Sequence, residues 1–454
     1  MSVSSRHLLM GSSQSSPYWV REQANINFTG AATDSLQNIY AVTSAGSLFK
    51  YDRIGRLMWA IQSDQNEAHV GVQVNSADEV VVFGKNSSSN KAYIIKFADT
   101  GTRVKSVEFY GGSSVPDMFV RGMTIDDSDN IYIVYYDLQS STASGDITKF
   151  DDQLTPLWDR ALRRSNYFTT LECVIASGSK VYYGGYVAQQ NGSTTFGLYG
   201  QLAASNGALQ LNYAIRLDNI TGEQIYLDAI SYDSNQDRLS LSGNSYNNAP
   251  DRVGFSFQAA PSGSGGYVMD ASSKYTWKNK TGSAFPVATY TRWNDAGASQ
   301  PLDSTFEAYF TDFNNNELVR VVSSVSGTAE ITAADVWTGY KPSLNNAGYI
   351  SFDTSNNSFV IGGKDKLLSL ATSSADFDLY SNYITFGGYT FEGDVDRTAT
   401  GDYEFTDAAD YVQVSGGLST STGVTITYVT YTGTDSAITD ATGFKPFPVT
   451  ISAL

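Results

Sequence analysis

The stretch Ile131-Tyr132-Ile133-Val134-Tyr135-Tyr136 follows the polar turn Asp126-Asp127-Ser128-Asp129-Asn130, and this combination recurs along the chain. A polar turn before a run of β-branched and aromatic residues predicts a tight turn that leads into a buried strand. Copies of the run begin at residues 38, 79, 130, 180 and 238, and looser copies begin at Glu317 and Ser358. The sequence therefore repeats one short unit seven times.

A second pattern lies between these runs. A strand that contains Lys before an aromatic residue, such as Leu48-Phe49-Lys50-Tyr51-Asp52, is followed by a strand that contains Trp, such as Leu57-Met58-Trp59-Ala60. The same order recurs at Ile147-Thr148-Lys149-Phe150-Asp151 and Pro156-Leu157-Trp158-Asp159. Repeats of about 40–50 residues that each hold several short strands are typical of a β-propeller. The sequence predicts an all-β, seven-bladed β-propeller.

One copy of the tryptophan strand, Pro17-Tyr18-Trp19-Val20, has no strands of its own before it. A propeller whose first and last blades are not joined leaves sheet edges open. We therefore expect residues 17–23, including Trp19 and Val20, to close the ring against the blade around residues 358–370.

The repeating unit resembles a known family of proteins. Its pattern is Asp-x-x-x-Asn-Ile-Tyr, then an apolar residue with Lys-Tyr/Phe-Asp-x-x-Gly, then an apolar residue with Trp. It resembles bacterial β-propeller repeats of secreted and cell-surface proteins, and similar degenerate propellers occur in virion proteins of tailed phages. The resemblance covers residues 30–160 well and is weak beyond about residue 250. The motifs specify a blade and not an activity, because propellers host many unrelated functions.

The resemblance implies a structural virion protein of the tail or a fibre, assembled in the host cytoplasm. Its expected partners are other virion proteins, further copies of itself and a host-surface glycan. The alternative is a secreted or cell-surface carbohydrate- or protein-binding propeller of a bacterium, and a polysaccharide-degrading enzyme stands third. We expect no enzymatic activity.

Composition and charge limit the function further. The formal net charge of −17 disfavours nucleic acid as a partner, since phosphate contacts need Lys and Arg, and it disfavours an anionic membrane surface. No apolar run approaches the roughly 20 residues of a membrane-spanning helix. Residues 1–16 are rich in Ser and lack the apolar core of a signal peptide, so we interpret them as an N-terminal arm.

The chain divides into this arm, a propeller over residues 17–370, and an acidic segment over residues 371–454. The last segment contains eleven Asp or Glu against Arg397 and Lys445. Its alternating stretches, such as Tyr411-Val412-Gln413-Val414, predict strands. We interpret the segment as a small C-terminal β module, whose last strand would be Pro448-Val449-Thr450-Ile451.

Few residues have the chemistry of a catalytic or metal site. The only histidines are His7 and His69, and the single cysteine, Cys173, lies in a predicted strand where it would be a buried apolar residue. No zinc cluster or nucleophile motif is present, and no cofactor is predicted. The turn with Asp126, Asp127 and Asp129 is explained by side chains that bond the local backbone, and calcium is the second interpretation.

The abundant aromatic residues raise the question of sugar binding, since sugars stack on Tyr and Trp faces. Adjacent tyrosines of one strand point to opposite faces, so we expect about half of Tyr135, Tyr136, Tyr182, Tyr183 and Tyr186 to be core between blades. Tyr290 and Trp293 lie in the Gly- and Ser-rich stretch Gly263–Gln300, which is predicted to be a long loop. They are the candidate glycan-binding residues.

Overall fold

In a computed structural model, the described residues are 19–53, 56–63, 67–110, 118–137, 144–163, 167–190, 195–217, 224–234, 237–246 and 252–261, and after these the strands named below. Side chains are described for most residues between Phe28 and Pro261 and for Tyr267. All of the regular structure in this part of the chain is β-strand. Accordingly, no helix of the described residues is long and apolar enough to cross a membrane.

Antiparallel four-stranded sheets follow one another along the chain, and we number them as blades. Blades 1 and 2 comprise β1 (Trp19–Thr33), β2 (Ile39–Thr43), β3 (Ser47–Tyr51), β4 (Leu57–Ser63), β5 (Glu67–Val74), β6 (Val80–Asn86), β7 (Ala92–Phe97) and β8 (Arg103–Tyr110). Blades 3 and 4 comprise β9 (Met118–Ile125), β10 (Ile131–Asp137), β11 (Ser144–Phe150), β12 (Pro156–Arg163), β13 (Tyr167–Ser177), β14 (Lys180–Gln189), β15 (Thr195–Ala203) and β16 (Leu209–Leu217).

Blade 5 comprises β17 (Gln224–Asp233), β18 (Arg238–Tyr246), β19 (Arg252–Pro261) and β21 (Tyr275–Asn279), with the short β20 (Tyr267–Met269) also paired to β19. Blade 6 comprises β22 (Pro286–Asn294), β23 (Thr305–Asp312), β24 (Glu317–Ser324) and β25 (Ile331–Thr338). The first strands of successive blades contact one another, so they form the inner side of the array. The fold is an all-β propeller, as the sequence predicts.

The predicted pairing of the N-terminus with the last repeat is present. Strand β26 (Ile350–Asp353) pairs with β27 (Ser358–Ala371), and the N-terminal part of β1 pairs with the other edge of β27. In this register Trp19 lies opposite Ser369 and Val20 lies opposite Leu368. The count of seven blades and the complete closure of the ring stay predictions.

The second strands of the blades are buried on both faces, and this explains their continuous apolar runs. In β10, Ile131, Ile133 and Tyr135 pack against blade 2, whereas Tyr132 and Val134 pack against blade 4. Alternate side chains of a strand point to opposite faces, so a strand between two neighbours needs apolar residues at every position. The hydrophobic core is therefore a series of layers between blades.

The Lys and Trp of the second sequence pattern join one blade to the next. Lys50 Nζ and Trp59 Nε1 donate to the Asp99 carbonyl of blade 2, at 3.2 and 3.0 Å. Lys149 Nζ and Trp158 Nε1 donate in the same way to the Ala204 carbonyl of blade 4, at 3.1 and 3.0 Å. The pattern thus encodes contacts between blades as well as strands.

The polar turns between first and second strands form another connection. Asp129 accepts hydrogen bonds from the backbone nitrogen and the hydroxyl of Ser76 in blade 2, at 2.9 and 2.6 Å. Asp78 makes the equivalent pair of bonds to Ser35 in blade 1. Both aspartates have a positive φ of about 60°, a conformation that Asp tolerates better than most residues.

The described strands of the C-terminal segment pair in two ways, and the predicted division into a propeller and a C-terminal β module stays a prediction. Strands β28 (Asn382–Phe386) and β29 (Tyr389–Glu392) pair with each other. The following strands each add to the outer edge of a different blade: β30 (Tyr403–Thr406) to β21, β31 (Tyr411–Ser415) to β16, β32 (Ser419–Ser421) to β12, β33 (Thr427–Thr430) to β8, and β34 (Asp435–Ala437) to β4. We call β30–β34 the belt, because it visits blades 5 to 1 in reverse order. The predicted last strand, residues 448–451, lies outside the described residues.

Two details of the structure differ from the repeat assignment made from the sequence. The copy at Glu317 is the third strand of its blade and not the second, because Asn-rich turns serve any hairpin equally well. The stretch 263–300, expected to be a long loop, contains β20, β21 and β22.

Candidate functional site

The inner strands carry a β-bulge at the same level in every one of blades 1 to 6. The bulged residues are Thr29, Val70, Arg121, Glu172, Asp228 and Thr289. Bulges re-aim a side chain and are over-represented next to functional sites. Three consecutive members of this set are charged, one positive and two negative, which concentrates charge on blades 3 to 5.

Glycines next to the bulges bring the inner strands close together. A Cβ on Gly30 would lie 2.8 Å from the Gly71 Cα, and one on Gly122 would lie 2.9 Å from the Glu172 carbonyl oxygen. Only glycine fits such an approach without a shift of the backbone. In blades 3 and 4 this approach brings the bulged residues Arg121 and Glu172 within reach of each other.

Arg121 and Glu172 form the charged contact between blades 3 and 4. Arg121 Nε lies 3.5 Å from Glu172 Oε2, and Arg121 Nη2 donates to the Tyr136 hydroxyl at 3.1 Å. Burial by itself would lower the pKa of Arg121, but the Glu172 carboxylate and the nearby tyrosines raise it above its ordinary value. Burial raises the pKa of Glu172, and Arg121 offsets part of that effect. The pair is half-buried, with the Arg121 and Glu172 side chains 28% and 18% exposed.

Half-buried aromatic rings flank this pair on both sides. Phe119 and Tyr136 stack at 4.8 Å between ring centroids, and Lys85 Nζ lies 4.3 Å above the Phe119 ring. On the other side, the rings of Tyr186 and Tyr226 meet edge to face at 4.7 Å. Burial, followed by the charge of Glu172, raises the pKa of Tyr186, so its hydroxyl stays protonated.

Asp228 and Asn244 complete the row in blade 5. Asn244 Nδ2 donates to Asp228 Oδ2 at 2.7 Å, and Asn244 is only 4 % exposed. One position in the second strand of each blade is equivalent from blade 2 to blade 5. It lies one residue beyond the residue that pairs beside the bulge, and it is occupied by Lys85, Tyr136, Tyr186 and Asn244. We call the whole row the inner arc: Lys85, Phe119, Arg121, Tyr136, Glu172, Tyr186, Tyr226, Asp228 and Asn244.

The inner arc lies at the end of the blades opposite the aspartate turns, where the second strands finish. It offers carboxylates, an amide, a guanidinium and phenol groups beside aromatic rings, a set suited to hydrogen bonding a polar ligand. Ring faces inside the arc are already in contact with neighbours, so the exposed edges and polar groups are what a ligand would meet.

The predicted tyrosines divide between core and site. Tyr135, Tyr182 and Tyr183 are buried at 2 % exposure or less, whereas Tyr136 and Tyr186 are half-buried members of the inner arc. Tyr290 and Trp293 belong to strand β22, and their side chains lie outside the described residues. The side chains of Trp19 and Val20 also lie outside them. Glycan binding by Tyr290 and Trp293 stays a prediction.

Two of the three calcium candidates, Asp126 and Asp129, accept hydrogen bonds from protein groups in the structure. Asp126 accepts hydrogen bonds from Ser128, from the backbone and side chain of Asn130, and from the Tyr132 hydroxyl. Asp129 is bonded to Ser76, as described above, and Asp127 is part of the same turn. Among the described residues, no group of three or more His, Cys, Asp or Glu is arranged to hold a metal ion. Calcium binding stays the second interpretation of this turn, and a chelator tests it.

His69 and Cys173 have surroundings unlike those of catalytic groups. His69 is 3 % exposed, and its Nδ1 contacts the Tyr93 hydroxyl at 2.6 Å. Burial, followed by the charge of Arg103, lowers the pKa of His69 to about 3, so the imidazole is neutral at ordinary pH. Cys173, which was expected to be buried, is half-buried; desolvation raises the pKa of its thiol, whose Sγ packs closely against Gly184.

The sequence analysis did not single out Arg121, Glu172, Asp228 or Asn244. One signal was available for the first of them, because Thr29, Val70 and Arg121 each precede a glycine at the same place in the repeat. That signal ends at blade 4, where Cys173 follows Glu172, so the series could not be continued from the sequence.

The propeller resembles solved structures at low sequence identity. It aligns with virginiamycin B lyase from Staphylococcus aureus at 13% identity and a TM-score of 0.46, covering 79% of this chain and 99% of that one. The RRP9 WD40 repeats align at 9% identity and a TM-score of 0.47, covering 78% and 100%. Drosophila Semaphorin 1b, extracellular domains 1-2, aligns at 8% and 0.46, covering 79% and 87%. No protein-family model and no curated protein matches this chain.

Proposed function

We propose that this protein is a non-enzymatic structural component of a tailed-phage virion, located in the tail or a fibre. In this role it assembles with other virion proteins and contacts a host-surface glycan. The observation that carries the proposal is the belt, which covers the outer edge of blades 1 to 5 with strands of the same chain.

Uncovered edge strands pair readily with other chains, which is a hazard in a densely packed particle. The belt leaves the two ends of the propeller as the surfaces for partners. The hydrogen bonds between blades, such as those of Lys149 and Trp158 to Ala204, hold the blades in one arrangement. A ring with covered edges and joined blades suits a structural part that must keep its shape.

The chemistry of the described residues supports binding over catalysis. The neutral, buried His69 and the packed Cys173 are poorly placed as general base or nucleophile. The inner arc presents groups that hydrogen-bond a polar ligand. The resemblance of the repeats to phage virion propellers gives the biological setting.

A secreted or cell-surface carbohydrate-binding propeller of a bacterium is the second candidate. The inner arc favours it as much as it favours a glycan-binding virion protein, since both would need such a site. A polysaccharide-degrading enzyme stands third, with Glu172 as the carboxyl group whose raised pKa is typical of a general acid.

Immunogold labelling of purified phage particles that encode this protein tests the virion role. We expect gold at the tail or its fibres. Label that is absent from particles but present on host cells or in the medium would favour the bacterial alternative. In parallel, a reducing-sugar assay on bacterial surface polysaccharides should show no product with the purified protein, and product formation would overturn the non-enzymatic assignment.

A further inference from the structure

The polar turn that leads into the second strand carries an exchange of side chains in blade 2. In blade 3 this turn begins with Asp126 and ends with Asn130, and blade 1 has the same order. In blade 2 the turn begins with Asn75 and ends with Glu79 instead. Lys96 of the third strand matches the lysines at this place in blades 1 and 3. Blade 2 therefore carries an amide where its two neighbours carry a carboxylate.

Glu79 contacts both Lys96 and Asn75 through a single oxygen atom. Lys96 Nζ lies 2.6 Å from Glu79 Oε2, and Asn75 Nδ2 donates to the same oxygen at 2.9 Å. The amine of Lys96 and the amide of Asn75 are consequently held beside each other, as a reaction between them requires. Lys96 and Asn75 are 4 % and 8 % exposed, so water has little access to either group.

The carbonyl oxygen of this amide already accepts two hydrogen bonds. The backbone nitrogens of Ala77 and Glu79 donate to Asn75 Oδ1, at 3.1 and 2.8 Å. These donors and the Glu79 carboxylate together fix the orientation of the amide, because a flipped amide would lose every one of these bonds. Two donors of this kind stabilise the negative charge that develops on a carbonyl oxygen when a nucleophile adds to its carbon. The group thus contains a nucleophile, a carboxylate that can accept its proton, and a polarised amide.

We propose that Lys96 and Asn75 form an intramolecular isopeptide bond, with Glu79 as the group that moves the protons. Glu79 Oε2 takes a proton from the Lys96 ammonium, and the freed Nζ adds to Asn75 Cγ. The bond from Cγ to Nδ2 then breaks while Glu79 gives its proton to the departing nitrogen. Glu79 passes the second Nζ proton to the released ammonia, which leaves as ammonium. One amide replaces another, and nothing is oxidised or reduced.

The bond ties the turn after β5 to strand β7 within blade 2. A covalent cross-link of this kind restricts the unfolded chain. The Nζ–H that remains can still donate to the Asp152 carbonyl of blade 3, which Lys96 contacts at 2.9 Å, so the connection between the blades is kept. This modification does not depend on the proposed virion role.

A second lysine, carboxylate and asparagine of blade 2 provide a comparison within the same protein. Lys91 Nζ lies 3.2 Å from Glu108 Oε2, and Asn86 Nδ2 lies 3.4 Å from Glu108 Oε1. Here the amine and the amide contact different oxygens, and both distances are longer. The Lys91 side chain is 27% exposed, compared with 5% for Lys96. We therefore assign the bond to Lys96 and expect none at Lys91.

Mass spectrometry of the purified full chain tests the bond. The intact mass should be lower than the mass of the sequence by one ammonia, about 17 Da. Trypsin should yield residues 57–85 joined to residues 92–103, since an acylated Lys96 is not cleaved. Glu79→Gln and Lys96→Arg should each restore the mass of their sequence. Lys91→Arg is the matched control and should keep the loss of ammonia.

Three outcomes would overturn the proposal. The first is a natural protein with the full mass of its sequence and with separate tryptic peptides 57–85 and 92–96. The second is a loss of ammonia that Lys96→Arg leaves in place, because an asparagine that cyclises on its own backbone also releases ammonia. The third is a linked peptide that joins Lys91 to Asn86. The peptide map of the natural protein decides the matter even if both variants unfold, and it is separate from the immunogold test of the virion role.

Discussion

At the scale of single residues, the repeat motif is a set of contacts between blades. Tyr132 packs against Trp158, Lys149 lies over the Tyr132 ring, and Lys149 and Trp158 bond the same carbonyl of blade 4. Tyr40, Lys50 and Trp59 repeat this arrangement between blades 1 and 2. These residues recur in the sequence because each blade solves the same packing problem.

His69 should make stability depend on pH in a defined window. Its pKa is about 3 in the folded protein and about 6.5 in an unfolded chain. Between these values the unfolded chain binds one proton more, so stability falls as pH drops from about 6.5 toward 3. The contribution is about 1.4 kcal/mol per pH unit.

The variant His69→Gln removes this titration and keeps a polar group beside Tyr93. Urea denaturation between pH 6 and pH 4 should show a free energy of unfolding that falls less steeply for the variant, by about 1.4 kcal/mol per pH unit. The natural protein and the variant contain the same carboxylates. The difference between their slopes of unfolding free energy against pH therefore reports His69 alone. Equal slopes would show that His69 is not buried in its neutral form.

At the scale of elements, the turn before each second strand holds itself together. Partial burial would raise the pKa of Asp126, but hydrogen bonds from Asn130, Tyr132 and Ser128 lower it below its ordinary value. The carboxylate therefore stabilises the fold in its charged form, and this stability is lost as pH falls below about 4. Both of its oxygens are engaged by donors of the turn.

Replacing Asp126 by Ala should accordingly destabilise the protein by about 1–3 kcal/mol in urea denaturation, since several hydrogen bonds are lost together. The matched variant Asp127→Ala should have little effect, because no hydrogen bond of its carboxylate contributes to the turn as described. Adding EDTA to the natural protein should leave its melting temperature unchanged. A lower melting temperature with EDTA, restored by CaCl₂, would establish calcium binding instead.

Elements differ in how much of them the sequence reveals. The strands β2, β6, β10, β14 and β18 could be predicted, because burial on both faces demands an unbroken apolar run. Alternation alone could not decide which tyrosines are core, because the adjacent Tyr182 and Tyr183 are both buried, whereas Tyr136 is half-buried beside the buried Tyr135. The charged residues Arg121, Glu172 and Asp228 could not be found in this way, since their proximity depends on how closely the inner strands approach. Likewise, the sequence of a belt strand of three to five residues can indicate a strand, but it does not indicate which blade edge that strand pairs with.

At the scale of the whole molecule, the spacing of the belt strands matches the spacing of the propeller blades. The belt strands begin at residues 403, 411, 419, 427 and 435, so successive belt strands start eight residues apart (411 − 403 = 8). Eight extended residues span about 26 Å, a step of the size expected between the rims of neighbouring blades. Neighbouring strands of a sheet are twisted relative to each other by about 20–25°. Over four steps this twist turns the fifth strand of a blade nearly perpendicular to the first, so that it runs along the outer rim. One chain segment can therefore pass from blade to blade without leaving the edge.

Removing the belt should expose the outer edges of five blades at once. A chain that ends after residue 400 loses β30 to β34, and the outer strands β4, β8, β12, β16 and β21 then have unpaired backbone groups. Open edges of this kind pair with other chains, so the truncated protein should form larger, concentration-dependent species in size-exclusion chromatography with light scattering. A chain that ends after residue 440 keeps the belt and is the matched control, and it should behave like the full-length protein. If both truncated chains have the molar mass and melting temperature of the full-length protein, the belt does not protect the edges, and the observation that supports a structural role in a packed particle is lost.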